Sequence, residues 1–129
     1  AVDIIKNVLE NIESRCKGEG YLNIQTIWSD IERLGKTPIP PASVKASFLI
    51  NVLYLVKSKV AALQEATRLV ETGGYVIVVD WLKKLGPLGP EPSVQVRPEA
   101  AIEDAKEAGL TLIEQFAMGD NHYCLLFKK

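Results

Sequence analysis

Histidine appears once in this chain of 129 residues, at position 122, and cysteine only twice, at 16 and 124. So few soft or imidazole donors give no zinc site without unusual help from carboxylates, and no metal is expected. Cys16 falls near the end of an early helix and Cys124 inside a closing strand. Both read as reduced, buried thiols of a cytosolic protein. Charge of one sign is also lacking: the net charge is −1 and basic residues form no long run. The footprint of a phosphate-tracking protein is absent, so no nucleic-acid partner is expected. Long apolar runs are missing too. The longest, Phe48 to Val56, is broken by Asn51 and far too short to span a bilayer. No basic start followed by an apolar core is visible, and the expectation is a cytoplasmic protein without a membrane partner.

What is present is apolar content of 47%, enough for one domain over residues 1–129 with a real core. Val2 to Cys16 has helical spacing at Ile5, Val8, Leu9 and Ile12, and Gly18 and Gly20 end it. Leu22 to Trp28 alternates like a strand. Thr37-Pro38-Ile39-Pro40-Pro41 is a stiff extended connector. Ser43 to Ile50 is a second strand, followed by a helix with apolar residues at Val60, Leu63, Ala66 and Val70. Gly73-Gly74 stops that helix, and Tyr75 to Val79 forms the next strand. Lys83 to Pro98 holds four prolines and reads as a long functional loop. Pro98 to Ala108 is a helix closed by Gly109, Leu110 to Phe116 a strand, and His122 to Phe127 a strand returning antiparallel across the turn at Gly119-Asp120. Strands alternating with helices over short joints predict a parallel sheet covered by helices.

The stretch ALQEATRLVETGGYVIVVDW, residues 62–81, resembles the late half of class I S-adenosylmethionine-dependent methyltransferases. In that family an EA.R.L..GG helix leads into the fifth strand. The resemblance implies an α/β, Rossmann-like methyltransferase sheet with a terminal antiparallel strand. Ala1-Val2-Asp3-Ile4 then resembles the end of the family's second strand. The first strand, its helix and its glycine-rich loop are expected to be missing, a unit on the order of 30–50 residues. Gly18-Glu19-Gly20 follows a helix, so it is no substitute for that loop. The missing strand is also the family's central one, which leaves two inner edges unpaired.

The same resemblance assigns a site, with S-adenosylmethionine as the cofactor. Asp3 takes the place of the acidic residue that accepts both ribose hydroxyls, and Ile4 packs on the adenine. Asp30 contacts the adenine amino group and Ile31 walls it. Asn51 and Val52 line the methionine end, and Tyr54 lies toward the acceptor. From the residues alone, Asp3 suits a helix N-cap equally well. His122 begins the antiparallel strand on the ligand side of the sheet, where it could serve as an acceptor-site base or be a turn histidine beside Tyr123. Trp81 walls the acceptor pocket or anchors a loop, and Arg97 stands at the rim. Three readings follow: methyl transfer to a small-molecule acceptor, a non-catalytic binding or assembly subunit (with a homo-oligomer as one form), and an unrelated doubly wound nucleotide-binding domain. The acceptor itself is not readable.

Overall fold

A computed structural model describes residues 1–129. The element order is β1 (Val2–Asp3), α1 (Lys6–Gly18), β2 (Ile27–Trp28), β3 (Val44–Ile50), α2 (Lys59–Leu69), β4 (Val70–Trp81), α3 (Pro98–Glu107), β5 (Thr111–Met118) and β6 (His122–Lys128). Four strands pair in the order β3-β4-β6-β5, with β3 parallel to β4 and β6 antiparallel to both its neighbours. The short turn between Met118 and His122 allows only a hairpin, so β6 returns antiparallel beside β5, as the sequence predicts, and its other edge pairs with β4.

Strand alternation divides the core. Val76, Val78, Tyr123, Leu125 and Phe127 point toward α2 and α3, where Ala62, Leu63, Ala66, Ala101 and Ala105 close the packing. Small alanines on both helices let them approach each other and the sheet. Ser58 starts α2 by accepting a 3.2 Å hydrogen bond from the Ala61 amide through Oγ. On the other face, Phe48, Ile50, Phe116 and Met118 remain exposed, with Ile50 and Phe116 in one row across the sheet.

Several sequence expectations shift. The first helix starts at Lys6, not Val2, because Asp3 Oδ1 accepts the Ile5 amide at 2.7 Å and turns the chain there. The strand expected over 22–28 shrinks to Ile27–Trp28, paired in parallel with β1 alone. With no neighbour for residues 22–26, their alternation has nothing to pack on, and Leu22 is 90% exposed. The helix expected to run to Gly73-Gly74, α2, ends at Leu69. The glycines instead sit inside β4, where the register with β3 slips between Val44 and Ala46. A Cβ on Gly74 would meet the Lys45 carbonyl oxygen at 2.6 Å, so the bulge needs glycine. Cys16 is only partly buried, because α1 buries a single residue, Leu9; Cys124 is buried in β6, and both thiols are free.

The expected missing inner strand has a structural counterpart. β1–β2 and β3-β4-β6-β5 are separate sheets. Between them lies a mostly apolar hollow of about 330 Å³, bounded by Val2 on one side and Val44, Ala46 and Phe48 on the other. No helix is long and apolar enough to cross a membrane.

Candidate functional site

The C-terminal ends of β1, β2, β3 and β4 and the start of β6 lie on one side of the molecule, where open α/β sheets bind ligands. At the β1–β2 end, Ile4, Asp30, Ile31 and Val52 line one hollow of about 220 Å³ together with Leu55 and Val56. Four of the predicted cofactor residues, drawn from three separate segments, are therefore neighbours. Asp30 Oδ1 accepts the Glu32 amide at 3.0 Å, which holds the turn after β2. The Glu32 carboxylate in turn accepts the Ser58 amide at 2.7 Å, tying that turn to the start of α2.

Asp3 stands beside this hollow without lining it. Its backbone carbonyl accepts the Ser29 amide at 3.1 Å, and its Oδ1 is engaged with Ile5. Trp28 reaches across to donate from Nε1 to the Ile4 carbonyl at 2.8 Å, and Lys6 lies 4.6 Å from its ring centre. Those contacts weld β1, β2 and the start of α1 into the floor of the site.

Asn51 follows β3 with φ +57°, a left-handed conformation that asparagine tolerates better than most residues. Its amide donates to the Val79 carbonyl at 2.8 Å, which fixes the turn against β4. Its Oδ1 is buried without a hydrogen-bond partner. Three more buried polar atoms in the same region lack partners: Asp80 Oδ2, Trp81 Nε1 and His122 Nε2. Buried polar atoms are rarely left unpaired in native proteins, and four at one end of a sheet mark a place where a ligand or water completes the bonding.

The Trp81 and His122 rings lie 4.1 Å apart, centre to centre, tilted by 39°. The two residues are cross-strand partners, so the contact is built into the β4–β6 register. Gly89 covers the tryptophan: it has φ +95°, and a Cβ there would come within 2.9 Å of the ring. Trp81 is thus clamped between the 82–97 loop and His122. Asn121, next in the chain, accepts the Leu82 and Lys83 amides and donates from its side chain to the Lys84 carbonyl at 3.1 Å. Tyr123 donates its hydroxyl to the Val96 carbonyl at 3.0 Å. His122 is therefore flanked by two residues that pin the loop.

His122 lines a hollow of about 340 Å³ with Phe116, Tyr123 and Leu82. Arg97 lines an adjoining one, whereas Tyr54 packs against the core and Trp81 serves as a bracket. The sequence reading did not single out Asp80. It is fully buried on the face of Tyr123, opposite Trp81, with Oδ1 accepting the Trp81 amide at 2.8 Å. Burial pushes its carboxyl above the usual range. The Trp81 amide offsets part of that, as do the nearby Tyr54 and Leu53 amides and a charge on His122. An acidic residue ending the apolar run YVIVV was the available signal.

Residues 1–78 match the family model described as "Methyltransferase domain". The chain belongs to this methyltransferase-domain family. No curated protein sequence matches the domain. Its fold matches solved structures. One is a SAM-dependent methyltransferase from Aquifex aeolicus, with TM-score 0.87, 17% identity, and coverage of 98% of this chain and 66% of that one. The [4+2]-cyclase SpnF matches with TM-score 0.81 at 12% identity, covering 99% of this chain and 65% of SpnF. The trans-methyltransferase CalH in complex with SAH matches with TM-score 0.81 at 15% identity, covering 98% of this chain and 41% of CalH. The methyltransferase domain thus spans about two thirds or less of these chains, and the class I Rossmann-like fold is the common ground.

Proposed function

We propose that this domain binds S-adenosylmethionine and presents a small-molecule acceptor to it for methyl transfer. The observation that carries the reading is the convergence of Ile4, Asp30, Ile31 and Val52 on one hollow. An apolar slot edged by a carboxylate fits an adenine and its amino group. Asp3 beside it would take the ribose hydroxyls, and Asn51, with its unpartnered Oδ1, the methionine end. The cofactor supplies an electrophilic methyl group on sulfur. The protein's own work is alignment, which in such a transfer carries much of the acceleration. Trp81 holds His122 in place, and the residues on either side of it pin the 82–97 loop. His122 Nε2, buried without a partner, would take the proton of an acceptor hydroxyl or amine.

Titration of the protein with S-adenosylhomocysteine tests the binding half. Saturable binding that perturbs Ile4, Ile31 and Val52 supports it, and no binding refutes it. For the chemical half, His122→Gln should lower turnover while leaving cofactor affinity nearly unchanged. Normal turnover in that variant would return His122 to a packing role.

A second reading, a binding or assembly subunit, is favoured by the sheet face that carries Phe48, Ile50, Phe116 and Met118, all exposed. Such a subunit would bind S-adenosylhomocysteine or a second copy of itself without turnover.

A further inference from the structure

Two hollows meet beside β5. His122, Tyr123, Phe116 and Ala117 line the first, of about 340 Å³. Arg97, Glu99 and Gln95 line the second, of about 520 Å³. Leu82, Pro98 and Gln115 border both, so the two form one groove with an apolar end at His122 and a polar end at Arg97. Its length runs along the edge strand, away from the hollow of Ile4 and Asp30.

Arg97 is exposed and takes part in none of the chain's three side-chain ion pairs. It is the N-cap residue of α3, and Pro98 at the first helical position has no amide hydrogen to offer. The planar guanidinium fork matches a carboxylate bidentately, and the adjacent helix end favours negative charge over positive. Glu99 lines the same hollow and has no ion-pair partner either. Its charge opposes a second negative charge, so the polar end suits a monoanion and disfavours a phosphate dianion. Between the two ends Leu82 and Pro98 give an apolar lining beside Gln115, and Phe116 and Ala117 extend it toward His122, which asks for a largely apolar body.

Resting on the reading of this domain as a small-molecule methyltransferase, we propose that its acceptor is a monocarboxylate. Arg97 holds the carboxylate, and the apolar body lies along Leu82 and Phe116 with its far end at His122. An acceptor of this shape presents its nucleophile to the one histidine while its charge stays at the solvent edge.

The test is a magnetic-resonance titration of the full chain with 4-hydroxyphenylacetate, which joins a carboxylate, a ring and a hydroxyl. The single imidazole, the Arg97 guanidinium and the Gln115 side-chain amide serve as reporters. Saturable shifts at all three are expected, and Arg97→Gln should weaken binding by about tenfold or more, since it removes a charge-assisted bidentate contact. The methyl ester should bind weakly to both proteins. Glu99→Gln should admit 4-hydroxyphenyl phosphate, which the parent protein rejects. Equal binding of acid and ester, unaltered binding in Arg97→Gln, or no saturable shift overturns the proposal. A parallel titration with S-adenosylhomocysteine separates the two readings. Shifts at Ile31 and Val52 without any carboxylate effect refute only the acceptor class. A carboxylate effect without them supports the groove and refutes the methyltransferase reading.

Discussion

At the residue scale, Asp3 carries two roles that a single substitution would confound. Its Oδ1 holds the Ile5 amide and so starts α1, while the ribose role needs its charge. Asp3→Asn keeps an oxygen that can accept from Ile5 but removes the charge. Asp3→Ala removes both. In both variants S-adenosylhomocysteine affinity should fall by roughly 1–3 kcal/mol, the loss of a charge-assisted contact. Only Asp3→Ala should also lower the melting temperature, since only it leaves the turn before α1 unsupported. Calorimetric titration and thermal melts of the two variants check this. Unchanged affinity in a folded Asp3→Asn protein would remove the ribose assignment. Asp30→Ala should cost less affinity, because it loses one contact at the edge of the adenine hollow. The candidate site was laid out through the family resemblance; from the residues alone, Asp3 and Asp30 are polar residues at strand ends that could equally cap the next element. His122 was legible for being unique. Asp80 was passed over because its last-of-strand position looked like an ordinary polar stop, and only the fold shows it fully buried.

At the element scale, the connector Thr37–Pro41 reads from its prolines as a stiff extended link, and the structure clamps it and the preceding Gly35 to α2. Glu65 on α2 is buried and accepts the Gly35 and Thr37 amides at 2.7 and 3.1 Å. Arg68, one turn on, pairs with both carboxylate oxygens at 2.8 Å and donates to the Thr37 and Ile39 carbonyls. Partners 28 to 31 residues away in sequence were invisible to periodicity, and Glu65 entered only through the family resemblance. Arg68 first, and the two backbone amides with it, hold the Glu65 carboxyl down at about 2, against 4.5 for an ordinary one. A depressed value in the folded state means stability that is full above pH 4.5 and lost as pH falls toward 2. The contribution is on the order of 3 kcal/mol. Glu65→Gln should lower stability at neutral pH by about 2–4 kcal/mol and flatten the acid limb, because the partly buried Arg68 then loses its counter-charge. Urea unfolding between pH 2 and 7 measures both effects. Equal acid limbs in the two proteins would show that the clamp does not titrate. The 82–97 loop has a weaker fastening in the Gly89–Trp81 contact. Gly89→Ala faces a positive φ and a 2.9 Å clash, so it should destabilise by about 1–3 kcal/mol and raise loop mobility near His122.

At the scale of the whole molecule, the alternation of strands and helices was legible because each four-stranded-sheet element has its own apolar run and its own stop. The division into two sheets was legible only through the family resemblance, since no local pattern tells a strand that its neighbour is absent. The consequence is an unequal distribution of stability. The β3-β4-β6-β5 sheet and its helices share a buried cluster of 16 residues. The β1–β2 unit has two paired positions, and its helix α1 buries only Leu9. Local opening follows buried apolar contact, so the two parts should open separately. Native-state hydrogen exchange should show α1 amides exchanging through openings at least about 2 kcal/mol cheaper than those at Val76, Val78 and Leu125. The adenine hollow lies across this boundary, with Ile4 and Asp30 from one part and Val52 and Val56 from the other. A ligand there bridges the two, and its binding energy opposes their separation by mass action. S-adenosylhomocysteine should therefore raise protection in α1 far more than in β4 and β6, narrowing the gap between the parts. Uniform protection in the free protein would mean that the chain opens as one unit, and the division would then have no energetic meaning. A ligand effect confined to β4 and β6 would place the bound molecule away from the Ile4–Asp30 hollow.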